Sequence, residues 1–162
     1  MVCKCYTYPM YPAISLIVSL LLAYGAGFVG SFFTGSAIDT WYATLDKPFL
    51  NPPNWVFAPM WTFLYTLMAF AAWRIFQKRA HPQAKGALAL YGVHLILNAF
   101  WSVAFFGWHN PTLAFAVIVA LWACIFALTV LFRRIDRTAG LLFIPYLAWV
   151  SFALYLNLMF VI

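Results

Sequence analysis

Polar positions are so sparse along these 162 residues that the charges mark where the apolar runs stop. No charge occurs between Lys4 and Asp39, between Lys47 and Arg74, between Lys85 and Arg133, or after Arg137. A helix needs about 20 apolar residues to cross a hydrocarbon core of roughly 30 Å, so three of these gaps hold one crossing each. The Lys85–Arg133 gap holds two, divided by "GWHNP" (Gly107 to Pro111). The pattern predicts an all-α integral membrane bundle of five transmembrane helices, at about 11–34, 54–77, 86–106, 111–132 and 139–161. Residues 1–162 form a single domain on this reading, with 35–53 as a lid-like loop between the first two spans. Barrel strands would alternate over about ten residues apiece, and no such alternation appears.

Composition agrees: 67% of residues are hydrophobic and 7% charged, against about 25% charged in a soluble domain. Lipid is therefore the solvent for most of the surface. The net charge of +6 flanks the spans, where basic residues meet anionic headgroups, so no nucleic-acid partner is expected. Lys4, Arg74, Lys78, Arg79, Lys85, Arg133, Arg134 and Arg137 fall on one side and Lys47 alone on the other. The positive-inside rule then puts the N-terminus in the cytoplasm, with inner and outer membrane left undecided. "MVCKCYTYPMYP" carries no signal-peptide cleavage pattern, so the first span is expected to stay.

Conventional catalysis finds few materials. There is no glutamate, and Asp39, Asp46 and Asp136 all lie between spans, so paired carboxylates for acid–base work are missing. Cys3, Cys5 and Cys124 lack the matching histidines of a metal site, and none is expected. Phosphate-binding glycine loops are absent too.

Polar and aromatic residues inside the spans say more, because lipid offers them no hydrogen bonds. His94, Asn98 and Trp101 share one face of the third span. Trp61 and Tyr65 are four apart on the second; Pro145, Trp149, Ala153 and Asn157 form a stripe on the fifth. At about 1.5 Å per residue, Trp61 lies roughly 10 Å below the loop-bearing face, Asn98 about 12 Å and Trp149 about 18 Å. Trp149 is expected to floor a cavity walled by Trp61 and Trp101, with the Asn98 amide as its polar group. Such a space suits a flat, mostly apolar guest. The competing reading is helix–helix packing with one interhelical hydrogen bond. His94, deeper still, is expected to be a satisfied core histidine.

The loop above this space, "WYATLDKPFLNPPNW", is stiffened by Pro48, Pro52 and Pro53, which fix φ and bias their predecessors to extended backbone. Those prolines and Trp41 are expected to form a lid; an interfacial aromatic belt is the alternative. Gly86, Ala89 and Gly92 on the third span and Ala23/Gly27 and Ala26/Gly30 on the first are small-residue faces suited to helix association; internal packing is the alternative for either, and the third-span face is the one expected to serve a homodimer.

"WYATLDKP", "NPPNWVF" with Trp61 following, "NAFWSVAFFG" and "LLFIPYLAW" followed by Asn157 together resemble the TspO/MBR family, the tryptophan-rich sensory and translocator proteins. The resemblance spans about residues 41–157. It implies a five-helix bundle, usually dimeric, that binds porphyrins such as protoporphyrin IX and haem, and benzodiazepine-type drugs. It implies ligand contacts from Tyr42, Trp61, Asn98, Trp101 and Trp149, with Tyr65 and Ala153 on the same stripes, and a first loop that closes the pocket. No cofactor is required; a porphyrin or haem would be the ligand. Some bacterial members degrade protoporphyrin in light, which would make Trp61 and Trp149 the only catalytic candidates. Leu158 stands where animal members place a sterol-linked tyrosine, and no Lys or Arg follows Tyr155, so specific sterol recognition is not expected. The leading expectation is a tetrapyrrole-binding membrane protein for transport, sensing or removal. A light-dependent porphyrin-degrading enzyme and a non-catalytic assembly or regulatory protein are the alternatives.

Overall fold

A computed structural model describes the chain from residue 10, with side chains from residue 12. The Cys3–Cys5 pair and Lys4 lie outside the described residues. Six helices build five crossings: α1 (Met10–Ala37), α2 (Phe57–Gln77), α3 (Ala84–Ser102), α4 (Pro111–Ile135), α5 (Arg137–Leu142) and α6 (Ile144–Met159). Five stretches are long and apolar enough to cross a membrane: Pro12–Ala37, Asn54–Gln77, Ala84–Gly107, Pro111–Ile135 and Arg137–Met159. The fifth crossing is broken, with α5 ending at Leu142, Phe143 turning the chain, and Pro145 sitting in the first turn of α6. Proline is tolerated there because that turn's N–H groups have no helical partner.

Helix ends follow local chemistry. The third crossing closes in a π-turn over Val103–Gly107, where Trp108 N–H donates to Val103 O at 2.8 Å. His109 then takes a positive φ of 51°, and Asn110 caps α4 by accepting from Leu113 N–H at 2.9 Å ahead of Pro111. At the opposite, basic end one residue makes the corner between α4 and α5. Asp136 is extended, and its Oδ1 accepts from Ala139 N–H at 2.8 Å. Its carboxylate also takes Arg74 Nε at 2.9 Å, Arg74 Nη2 at 3.0 Å and Lys78 Nζ at 2.8 Å. Arg74, chiefly, holds this carboxyl well below the usual carboxylate range. The corner is tight: a Cβ on Gly140 would meet Arg133 backbone atoms at 2.6–2.7 Å.

The core lies between α2, α3, α4 and the α5–α6 crossing, around Leu64, Met68, Ile75, Ile125, Leu128, Phe132, Phe143 and Tyr146. The first helix packs on α2 and α3, leaving much of its outer face to lipid. Its small residues serve internal contacts: a Cβ on Gly27 would fall 2.5 Å from Tyr65 Cε2, and one on Gly30 2.9 Å from Ser102 Oγ. On α3, by contrast, Gly86 and Gly92 have open space over them. Along most of their length α2 and α6 make no close main-chain approach. Large rings hold them apart, with Phe57–Trp149 and Trp61–Tyr146 centroids each at 6.2 Å. Helices approach closely through small residues, so rings of this size leave room between them.

Candidate functional site

That room is a cavity of about 620 Å³ beneath the strap joining α1 to α2. One wall is α1, from Tyr24 to Gly35, with Ile38 just past its end; the second is the α2 face of Phe57, Trp61, Thr62 and Tyr65. Trp101, Ser102 and Phe106 close it from the third crossing, and Trp149 and Ala153 from α6. Tyr42 is the strap's contribution, along with Asn54 at the start of the second crossing. Six of the seven residues expected at the site thus meet here: Tyr42, Trp61, Tyr65, Trp101, Trp149 and Ala153.

Asn98 does not line the cavity. It is buried one layer behind, where its Oδ1 accepts from Tyr65 OH at 2.6 Å and its Nδ2 donates to Tyr146 OH at 3.0 Å. Depth alone could not separate these positions, because Asn98 sits at the right level but behind the Tyr65 ring. Tyr146 OH in turn lies 3.1 Å from His94 Nε2, and His94 Nδ1 lies 3.1 Å from Tyr91 O. A carbonyl oxygen only accepts, so Nδ1 carries the ring proton and Nε2 accepts from Tyr146. The side chains of Asn98, Tyr146 and His94 are thus partnered, as burial in lipid requires, whereas the buried Tyr91 hydroxyl beside them has no partner among the described residues. His94 is fully buried with both nitrogens engaged.

The strap behaves differently from a simple roof. Tyr42 is buried, its hydroxyl donates to Asn51 Oδ1 at 2.6 Å, and its ring packs on Phe105, Phe106 and Phe160. Burial pushes its phenol above the usual range. Lys47 Nζ sits 5.1 Å from the centre of the same ring. Trp41 stacks on His109 at 4.5 Å and meets Phe105 edge-on, so it anchors the strap to the connection before α4. Neither Trp41 nor Pro48, Pro52 or Pro53 lines the cavity. Pro48 O accepts from Asn51 N–H at 2.9 Å in the turn that carries Tyr42's partner Asn51, while Phe49 and Trp55 are 99% and 74% exposed.

Donors are distributed unevenly among the indoles. Trp101 Nε1 donates to Asn157 Oδ1 at 2.9 Å, and Asn157 Nδ2 to Pro111 O at 3.0 Å, tying α3, α4 and α6 together. Trp73 and Trp122 are likewise committed, to Pro12 O and Ser151 Oγ. Among the described residues the other five indoles, Trp41, Trp55, Trp61, Trp108 and Trp149, have no hydrogen-bond partner for their N–H groups, and of these Trp61 and Trp149 line the cavity. Two groups escaped the sequence reading. Tyr146 faces inward with Trp149 three residues on, a spacing the four-residue stripe concealed. Phe106 reaches the cavity from within the π-turn.

A second hollow of about 720 Å³ runs along the lipid-facing flank between α1 and α3, lined by Leu22, Gly25, Val29, Gly92 and Ile96 among others. It is larger but gathers none of the indoles.

The TspO/MBR family matches residues 18–162. A tryptophan-rich protein TspO of Chlorobaculum tepidum is 39% identical over 145 residues, covering 89% of this chain and 90% of that protein. A tryptophan-rich sensory protein of Cereibacter sphaeroides is 40% identical over 145 residues, with 88% and 87% covered. The translocator protein of Ovis aries is 32% identical over 151 residues, with 92% and 88% covered.

Proposed function

The chain belongs to the TspO/MBR family of multi-pass membrane proteins, and we propose that it binds tetrapyrroles such as protoporphyrin IX or haem in the cavity beneath the strap, for their transport, sensing or removal. The single observation that carries this is the pair of uncommitted indole N–H groups, Trp61 from α2 and Trp149 from α6, lining one mainly apolar space. A volume of about 620 Å³ falls within the range of about 300–1,000 Å³ common to ligand sites. Indole faces offer stacking area to a flat macrocycle, and their N–H groups offer donors to its peripheral oxygens. The reading of a purely packed interior predicts no void of this size.

Titration of the purified protein with protoporphyrin IX tests the proposal through tryptophan quenching. Trp149→Phe removes one donor, about 0.5–1.5 kcal/mol or roughly 2- to 12-fold in Kd. Asn98→Ala releases Tyr65 and weakens binding indirectly. Unchanged affinity in both variants counts against the cavity as the site. A second reading, light-driven porphyrin breakdown, is favoured by the contact of Trp61 with two tyrosine rings. Equal bleaching rates in wild type and a Trp61→Phe/Trp149→Phe variant would dispose of it.

A further inference from the structure

Trp61 touches two phenols whose hydroxyls have different acceptors. Tyr65 stacks on it at 5.5 Å with ring planes 28° apart, and Tyr146 meets it edge-on at 6.2 Å and 68°. The Tyr65 hydroxyl donates to an amide oxygen, Asn98 Oδ1, a very weak base. The Tyr146 hydroxyl donates to His94 Nε2, an unprotonated imidazole nitrogen 3.1 Å away. A phenol that loses an electron becomes a strong acid, so it is readily oxidised only where a base can take its proton.

We propose that Tyr146 and His94 form a proton-coupled redox pair that drains oxidising equivalents from Trp61. The oxidant is a one-electron acceptor in the cavity, an electronically excited aromatic macrocycle, which becomes its radical anion and leaves Trp61 as an indole radical cation. Trp61 then recovers an electron from Tyr146. The Tyr146 O–H bond breaks, its proton passes to the lone pair of His94 Nε2, and the products are neutral indole, a neutral tyrosyl radical and an imidazolium. One positive charge enters and one remains. Both N–H groups of that imidazolium have acceptors already in place, Tyr91 O for Nδ1 and the Tyr146 oxygen for Nε2. A buried charge is tolerable only when partnered in this way. Asn98 Nδ2 also donates to the Tyr146 oxygen, so the radical keeps two hydrogen bonds. Return of the electron from the macrocycle reverses every step, which makes the pair a reversible store that spares the indole. Tyr146 and His94 are fully buried, away from lipid and dissolved oxidants.

The pair rests on the proposed ligand reading only for the source of the oxidant, and the test separates the two. Full-length protein in detergent, labelled with ¹⁵N-histidine, is irradiated with ultraviolet light without ligand, freezing the products for electron paramagnetic resonance. A second sample carries protoporphyrin IX and visible light. Among the described residues Tyr146 alone has its hydroxyl bonded to an imidazole, so a tyrosyl signal coupled to a histidine ¹⁵N identifies it without any variant. The expected result is that coupled signal in wild type, its loss in Tyr146→Phe, and an indole radical in its place in His94→Gln. Tyrosyl signals lacking histidine coupling, or a coupled signal that persists in Tyr146→Phe, would overturn the proposal. The coupled signal under ultraviolet light but not with protoporphyrin supports the pair and counts against the cavity as the porphyrin site.

Discussion

Asp136→Asn reports most directly on how the basic end of the bundle is held. The side chain is 2% exposed and carries four bonds, two from Arg74, one from Lys78 and one from Ala139 N–H. Asparagine is nearly isosteric and keeps an oxygen for Ala139, so the cap on α5 survives and the loss falls on the ion pairs. A hydrogen bond to a charged group contributes about 1.5–3 kcal/mol. Arg74 and Lys78 remain 38% and 50% exposed, so water restores part of what they lose and the figure is discounted for screening. The expected cost is about 2–3 kcal/mol, a fall of roughly 4–12 °C in melting midpoint for a chain of this size. The pH dependence fixes the cause. Because the folded carboxyl is held below its ordinary range, its contribution is complete above the unfolded value of about 3.9 and drains away as pH falls below it. Thermal unfolding in detergent, followed by tryptophan fluorescence, should show a clear gap between wild type and variant at neutral pH that narrows on acidification below about pH 4. A variant as stable as wild type, or a gap that does not narrow, would refute the reasoning.

Other perturbations probe the walls and corners. Gly140→Ala places a Cβ 2.5–2.7 Å from Arg133 atoms, two of them backbone; overpacking of this kind costs about 1–3 kcal/mol, outweighing the roughly 1 kcal/mol that alanine gains in a helix. A lowered melting midpoint checks it. Gly27→Ala drives a Cβ into the Tyr65 ring, which its bond to Asn98 holds in place, so both stability and protoporphyrin affinity should fall. Asn157→Leu leaves Trp101 Nε1 without its acceptor and removes the Asn157 tie to Pro111 O, and should cost about 1–3 kcal/mol, seen as an earlier unfolding transition.

The crossings were legible because charges interrupt the apolar runs and nothing else in the chain competes with that signal. The broken fifth crossing was half legible: Pro145 was visible, but a proline in a first turn is as compatible with a helix start as with a break. Asp136 looked like a loop residue among arginines, and only the folded chain brings Arg74 and Lys78 to it across 62 and 58 positions. Four-residue spacing placed Trp61, Tyr65, Trp149 and Ala153 on faces that line one cavity, because helix faces repeat in sequence. Asn98 shared the right face and depth yet fell behind Tyr65, a matter of side-chain layering that spacing does not encode. The strap's prolines advertised stiffness but not which ring that stiffness would deliver.

If a flat macrocycle enters the space between α1, α2 and α6, filling that space with a side chain must keep it out. Ala153 lines the cavity on α6, and Ala153→Phe adds a ring there while leaving Trp61 and Trp149 in place. The variant should keep its helical signal and melting behaviour but bind protoporphyrin IX at least about tenfold more weakly, a loss of about 1.4 kcal/mol. A well-folded Ala153→Phe protein that binds the porphyrin as tightly as wild type would contradict binding in this space.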